Sequence, residues 1–327
     1  MTMPLPPFSY VTPSTLEEAA AILSDPERHV AIVGGGTDLV PKMKRRQTLP
    51  STLMSLAQIH EMHGIRIDDD GNCIIGASTR LSEIAESSLV PAVVSAAARA
   101  IASPQIRNTA TLGGNLCLDT RCNYIDMSAT WREASGYCLK DGGDTCWVAP
   151  RGDRCWAISS TDLAPVAIAL NGSVRLMSTR GDRSVSAENL YRNDGISYLD
   201  KQPDEILIEL SLPPLGGRAT YLKLRRRGSI DFPLLGIACA VEMDDDGLCV
   251  SARIVVGGIA PAPLRATDAE TYLTGKELTP QVIEEAAKRT SQPFRPQDNT
   301  DMGSRYRKWM IAVYAEKALN DVAGDNV

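Results

Sequence analysis

The sequence predicts an α+β protein in two parts, with a cysteine-bearing segment spliced into the first. Three observations predict it. A short β-branched stretch, residues 29–33 (HVAIV), runs straight into Gly34-Gly35-Gly36-Thr37, a strand followed by a turn that needs close backbone approach or positive φ. Residues 204–212 (DEILIELSL) alternate like a strand and stop at Pro213-Pro214, with Gly216-Gly217 just beyond, which marks a domain boundary near residue 216. Past it, apolar runs at 234–243 and 248–256 flank an Asp244-Asp245-Asp246-Gly247 hairpin turn, and helical stretches follow, as in a small antiparallel sheet backed by helices.

Composition narrows the function classes. A chain of 327 residues can build two or three cores. With 43% hydrophobic and 23% charged residues it reads as an ordinary soluble globular protein. A net charge of −6 argues against nucleic acid as a main partner. The basic runs Lys42-Met43-Lys44-Arg45-Arg46 and Arg225-Arg226-Arg227 read as solvated faces ahead of phosphate contacts. The first residues, MTMPLPPFSYV, lack the basic and apolar regions of a signal peptide. The most apolar long helical stretch, residues 91–102, is interrupted by Arg99 and too short to span a bilayer. A cytoplasmic protein without a membrane partner is expected. In that reducing compartment, clustered cysteines read as metal ligands before disulfides.

Taken in order, residues 14–24 open with a Ser/Thr cap, carry acidic residues in the first turn and continue apolar at helical spacing. The 29–33 strand and its glycine turn follow. Successive N–H groups in such a turn can cradle a pyrophosphate, although neither G-x-G-x-x-G nor a Walker A pattern is present. Residues 51–80 read as strand, loop and strand, with an Asp/Gly turn at 68–72. Helices are expected at 81–86 and 90–102. Gly113-Gly114-Asn115 forms a second candidate cradle, about eighty residues after the first, and the two turns together could grip both ends of a dinucleotide. After the insert, 162–170 is helical, and Asn171-Gly172 turns into a strand at 173–177. Beyond the boundary come a strand at 219–225, the hairpin, helices near 266–273 and 280–289, and a long amphipathic helix at 304–322.

The inserted segment carries Cys122, Cys138, Cys146 and Cys155, four thiols in 34 residues, together with Trp131, Trp147 and Trp156. No C-x2-C pair occurs, so neither zinc-ribbon nor bacterial ferredoxin spacing is met. Thiolates in this number hold an iron–sulfur cluster or Zn²⁺. Unligated thiols or a redox disulfide stay open. Cys117, directly after the second glycine turn, is a fifth candidate and better suited to lining a nucleotide site. Cys73, Cys239 and Cys249 sit in apolar strands and read as core thiols. No Ser-His-Asp set or carboxylate pair stands out, which suits a protein whose cofactor supplies the chemistry.

Four motifs in order, IVGGGTDL (32–39), QIRNTATLGGN (105–115), STDLAP (160–165) and VGGIAPAPLRA (256–266), resemble the FAD-binding subunit of the molybdenum hydroxylases, the xanthine oxidase and carbon monoxide dehydrogenase family. The resemblance spans nearly the whole chain, from Pro7 to about Asn320. It implies a two-lobed FAD-binding domain of the vanillyl-alcohol-oxidase (PCMH) type at 1–216 and a CO-dehydrogenase-flavoprotein-like α+β domain at 217–327, interrupted by a segment at about 118–158. Carried over by motif, Ile32, Val33, Gly34, Gly35, Gly36, Thr37, Asp38 and Leu39 would wrap the FAD pyrophosphate. Thr109, Ala110, Thr111, Gly114 and Asn115 would line the other side, with Ile101, Ala102 and Cys117. Asp162 would bind near the ribityl or pyrophosphate, and Leu207 and Lys223 would approach the isoalloxazine.

The insertion departs from the usual family pattern. It resembles a reductive branch of the family whose flavin subunit carries an extra [4Fe–4S] cluster beside FAD. This implies Cys122, Cys138, Cys146 and Cys155 as cluster ligands, reduced ferredoxin as donor, and no catalytic residue in this chain. The same resemblance implies two partner subunits in a dimer of heterotrimers, a large one binding molybdopterin and a small one with two [2Fe–2S] clusters. The reaction would be reductive removal of a phenolic hydroxyl from an aromatic acyl-CoA. Two other readings stand beside it: an ordinary hydroxylase flavin subunit with a structural zinc insert, and a scaffold without flavin.

Overall fold

The computed structural model describes residues 4–324. Residues 1–3 and 325–327, the outer ends of the two anticipated domains, lie outside the described residues. Strands β1 (Ser9–Val11), β2 (Val30–Val33) and β3 (Thr52–Ser55) form a parallel sheet in the order β1-β3-β2. Helix α1 (Leu16–Leu23) starts where the Thr15 hydroxyl accepts from the Glu18 amide at 3.2 Å, while the Glu18 carboxylate accepts from the Ser14 amide at 2.8 Å. It buries Leu16, Ala19 and Ala20. Helix α2 (Leu39–Lys44) leaves the glycine turn directly, and its Pro41 falls in the first turn, where a missing N–H costs nothing.

The second lobe is a five-stranded antiparallel sheet in the order β4-β5-β8-β6-β7, made of β4 (Ile65–Ile67), β5 (Cys73–Gly76), β6 (Ser173–Ser178), β7 (Gly181–Ser186) and β8 (Ile206–Leu212). Central β8 buries Ile206, Leu207, Ile208, Leu210 and Leu212. Edge strand β7 was not anticipated, because GDRSVS has no apolar alternation: its residues are exposed or half-buried. Between β5 and β6 lie α3 (Leu81–Glu86), α4 (Ala92–Ala100), α5 (Pro104–Arg107), α6 (Leu112–Leu116), α7 (Ala129–Ala134) and α8 (Leu163–Ala169). The second glycine stretch is therefore a short helix, α6, capped by Thr111, and not an open turn.

The C-terminal part is an antiparallel sheet ordered β12-β11-β10-β9, from β9 (Arg218–Leu224), β10 (Leu235–Met243), β11 (Cys249–Gly257) and β12 (Leu264–Arg265). Helices α9 (Thr267–Leu273), α10 (Pro280–Ser291) and α11 (Ser304–Ala323) complete it. Its own core holds Ile237, Ile254, Ile311 and Leu319. It meets the first part of the chain tightly: a Cβ on Gly257 would come within 2.7 Å of Pro165 in α8. Among the described residues no helix is long and apolar enough to cross a membrane.

The inserted segment leaves and rejoins through a paired neck. The Arg121 amide donates to the Ile158 carbonyl at 2.9 Å and the Ile158 amide returns a bond at 2.8 Å. Beneath the neck, Asn115 Oδ1 accepts from Thr161 Oγ1 at 2.7 Å and from the Leu163 amide at 3.2 Å. One buried side chain thus joins the motif before the insert to the motif after it. A small apolar core of its own includes Ile125 and Ala157.

Candidate cofactor sites

A cavity of about 1130 Å³ opens beside the glycine turn. Ile32, Val33, Gly34, Gly35, Gly36, Thr37, Asp38 and Leu39 line it from the end of β2 into α2. Ile101, Ala102, Thr109, Ala110 and Thr111 line it as well. So do Gly114, Asn115, Cys117, Asp162 and Leu207. Lys223 does not. Its ammonium lies behind the wall, bonded to the Asp162 carboxylate at 2.9 Å and the Ala100 carbonyl at 3.0 Å. Strand β9 places Lys223 and Tyr221 on the same side, and the Tyr221 hydroxyl also donates to Asp162, at 2.8 Å. Burial, the larger influence, pushes the Asp162 carboxyl up, and Lys223 pulls it the other way.

The two glycine-bearing segments do not stand at opposite ends of the cavity. They touch. A Cβ on Gly34 would sit 2.6 Å from Thr111 Oγ1, and one on Gly35 would overlap the backbone of Thr109 and Ala110. Gly36 adopts φ +68°, which a side chain would strain. These glycines bring two backbones together into one cradle, whose amides can approach a pyrophosphate where no Cβ intervenes. The cradle fits a dinucleotide cofactor.

A charged network borders the cradle. Asp38 accepts from Arg121 at 2.9 Å and lies 3.4 Å from Lys42. Lys42 also reaches Asp119 at 2.5 Å, and Lys140 reaches the other oxygen of Asp119 at 2.8 Å. Burial opposes ionisation of Asp119, but Lys140 and Lys42 together hold its carboxyl below the usual range. Lys42 is buried and so departs from the solvated face expected of that basic run, while Lys44 and Arg46 are exposed as expected. The guanidinium of Arg121 also sits 4.1 Å from the Phe232 ring centre, tying the insert to the loop between β9 and β10. No motif signalled Arg121, Asp119 or Lys140, all of which line the cavity.

A second, much smaller pocket is lined by all four insert cysteines, Cys122, Cys138, Cys146 and Cys155. Its other walls include Tyr124, Leu139, Trp147, Val148 and Ala157. Cys117 is not among them and faces the large cavity instead. Burial pushes the Cys122 thiol up to about 12 and the Cys155 thiol to about 11, and nearby cysteines add to both shifts. Such thiols stay protonated at neutral pH until a cation displaces the proton. Among the described residues, no three His, Cys, Asp or Glu side chains are placed to hold a single metal ion. Tyr124 packs against Trp131 and Trp147 with ring centres 6.4 and 6.0 Å apart, on the outer side where both tryptophans are partly exposed. Two residues, Ile125 and Lys140, line both this pocket and the large cavity.

Comparison with known proteins gives the geometry its context. Residues 6–215 match the FAD binding domain in molybdopterin dehydrogenase, and residues 219–322 match the CO dehydrogenase flavoprotein C-terminal domain. The chain is 28% identical to the 6-hydroxypseudooxynicotine dehydrogenase complex subunit alpha of Paenarthrobacter nicotinovorans, over 96% of this chain and 94% of that one. It is 27% identical to the carbon monoxide dehydrogenase medium chain of Hydrogenophaga pseudoflava, over 96% of each. It is 30% identical to the aldehyde oxidoreductase FAD-binding subunit of Escherichia coli, over 82% of this chain and 86% of that one. Among solved structures, reconstituted CO dehydrogenase from Oligotropha carboxidovorans superposes with a TM-score of 0.81 at 25% identity, covering 99% of this chain and 100% of that one.

Proposed function

The chain belongs to the FAD-binding subunits of the molybdenum hydroxylase family, and from that premise we propose that it is an electron-transfer subunit carrying a [4Fe–4S] cluster beside its FAD. The observation that carries the proposal is the convergence of Cys122, Cys138, Cys146 and Cys155 on one apolar pocket. A tetrahedral zinc site would draw its sulfurs to about 3.8 Å from one another, since each lies about 2.3 Å from the ion. The four thiols line one apolar pocket, the ligand number and type that an iron–sulfur cluster takes. When bound, FAD exchanges one or two electrons and the cluster one, so the pair supplies a relay between a one-electron donor and further redox centres.

The chain's own residues have distinct parts in this reading. Gly34, Gly35 and Gly36 clear the way for backbone amides to hold the pyrophosphate, with Thr37 and Asp38 beside them. Thr109, Ala110, Thr111, Gly114 and Asn115 close the cradle from α6 and the turn before it. Lys223 fixes Asp162 from behind the cavity wall and also bonds the Ala100 carbonyl, one residue before Ile101. The aromatic residues Tyr124 and Trp147 keep water from the four thiols.

More finely, the insert's place and cysteines resemble those of the β subunit of 4-hydroxybenzoyl-CoA reductase. The reaction proposed is reductive dehydroxylation of 4-hydroxybenzoyl-CoA to benzoyl-CoA, as in anaerobic aromatic degradation, with reduced ferredoxin as donor. The proposed partners are a molybdopterin-binding large subunit and a small subunit with two [2Fe–2S] clusters, in a cytoplasmic dimer of heterotrimers. A second reading has an observation of its own. The relatives above are named as dehydrogenases and oxidoreductases, which favours an ordinary hydroxylase flavin subunit of the xanthine, CO or aldehyde type; in that reading the insert is a structural zinc clip.

Iron, zinc and acid-labile sulfide per flavin on the anaerobically purified chain separate the two readings. About four iron and four sulfide per FAD, without zinc, supports the reductase. One zinc and no sulfide returns the chain to the hydroxylases. Within the assembled enzyme, failure to form benzoyl-CoA from 4-hydroxybenzoyl-CoA with reduced ferredoxin would sink the finer reaction alone.

A further inference from the structure

We propose that Lys140 is a positioning residue that fixes a positive charge in the wall between the four-thiol pocket and the flavin cavity, and thereby makes the cluster easier to reduce. The inference rests on the cluster reading above.

Lys140 follows Cys138 by two residues, in the 3₁₀ turn Leu139–Asp141. It lines both cavities, an attribute it shares with Ile125 alone among the described residues. Ile125 is apolar, so Lys140 supplies the only charge on that shared wall. Its side chain is 11% exposed. Three acceptors take its ammonium protons: Asp119 Oδ1 at 2.8 Å, Thr120 Oγ1 at 2.9 Å and the Gly195 carbonyl at 2.6 Å. A lysine with all three donors used is held in place.

One of the holding groups, Gly195, also contacts a thiol. Gly195 packs on Cys155 so closely that a Cβ would come within 2.7 Å of its sulfur, and the Gly195 amide donates to the Cys155 carbonyl at 2.9 Å. The same glycine thus touches a proposed ligand with one group and orients Lys140 with another. On the cavity side, the ammonium lies 5.5 Å from the ring centre of Tyr198, which lines the cavity.

The local charge does not cancel. Asp119 is the carboxylate nearest Lys140, and it is shared with Lys42. Two ammonium groups on one carboxylate leave a net positive charge. Asp38 bridges Lys42 and Arg121, and Asp126 lies between Arg121 and Arg45, so the linked set of Lys140, Lys42, Arg121 and Arg45 with Asp119, Asp38 and Asp126 holds one more cation than carboxylates. One-electron reduction adds one negative charge to the cluster. The electron comes from an external one-electron reductant, and no bond to the chain forms or breaks. A cation held in a poorly hydrated wall favours the reduced state more than one in water would.

The test is a mediated anaerobic redox titration followed by electron paramagnetic resonance, on wild type and on Lys140→Met, with iron, sulfide and FAD counted on each. Removing the charge is expected to lower the cluster potential. A tenfold change in the reduced-to-oxidised ratio at fixed applied potential corresponds to about 59 mV for one electron. Lys140→Arg should restore most of the shift, which a purely structural role would not require. Should Lys140→Met lose its iron, Asp119→Asn carries the test: it removes the compensating carboxylate and should raise the potential. Full iron and sulfide with an unmoved potential in Lys140→Met, or an unmoved or lower one in Asp119→Asn, overturns this proposal alone. Wild type without iron and sulfide overturns the cluster reading and this inference with it.

Discussion

Gly35 leaves no room for a side chain, because a Cβ would overlap the backbone of Thr109 and Ala110 across the cradle. Gly114 is less confined: a Cβ there meets only Thr111 Oγ1, at 3.2 Å. Gly35→Ala should therefore destabilise the fold by about 1–3 kcal/mol, as overpacking does. It should also weaken flavin retention about tenfold or more, about 1.4 kcal/mol in binding. Gly114→Ala should keep most of its flavin. Visible absorbance per chain and urea unfolding check both, and equal flavin content in the two variants would remove the cradle from the flavin site. The glycine turn was legible in sequence because its backbone demand has one residue type as its solution. Lys42, Arg121 and Lys140 were not, because their importance comes from partners far along the chain, Asp119 for Lys42 and Asp38 for Arg121. The thiols make a pH prediction. Their ordinary value is 9.0, and burial raises Cys122 to about 12 and Cys155 to about 11. A folded chain that holds these protons longer than the unfolded chain loses stability as pH rises through that window. The metal-free protein's urea midpoint should fall as pH rises from about 9 toward about 11, and Cys122→Ser with Cys155→Ser should flatten that fall.

Helix α7 holds the insert against the flavin-type lobe through one buried arginine. Arg132 bonds both oxygens of Asp141 at 2.6 Å and the carbonyls of Arg45 and Arg46 at 3.0 and 3.3 Å, just past the end of α2. Arg132→Met would strand a carboxylate and two carbonyls. Breaking one side of a buried pair costs about 3–5 kcal/mol. On the cluster reading proposed above, iron should then be lost to a chelator faster than from wild type, with FAD content little changed, because Arg132 does not line the large cavity. Unaltered iron release would mean that α7 does not restrain the thiols. At this scale the sequence was readable where an element buries an apolar run or face, as in β8, β10 and α1. It was opaque for β7, a polar edge strand, and for α6, whose glycines suggested an open turn. In α6 the Thr111 cap and the packing of Leu112 and Leu116 override the low helix propensity of glycine.

The whole molecule clamps the insert between two domains. The neck at Arg121 and Ile158 belongs to the flavin-type lobes, while the Asn123 amide donates to the Asn299 carbonyl at 2.9 Å and Asn299 Nδ2 donates to the Trp156 carbonyl at 2.5 Å. Asn299 is fully buried in the segment between α10 and α11. Arg307, also fully buried, holds that segment by bonding the carbonyls of Met302, Gly258 and Gln297. A group bound by the four thiols therefore stabilises a segment that both domains contact, and binding to the folded state alone raises stability for every part that unfolds with it. If the thiols hold the proposed cluster, chelating its iron should lower the midpoint of one shared thermal transition and loosen FAD at the same time. Asn299→Ala removes one tie while leaving the thiols and the cradle in place, so it should shrink the effect of chelation on the C-terminal domain. Calorimetry with flavin fluorescence reads both. Two separate transitions in wild type, with the flavin-linked midpoint unmoved by chelation, would make the insert an independent module that merely sits beside the cavity.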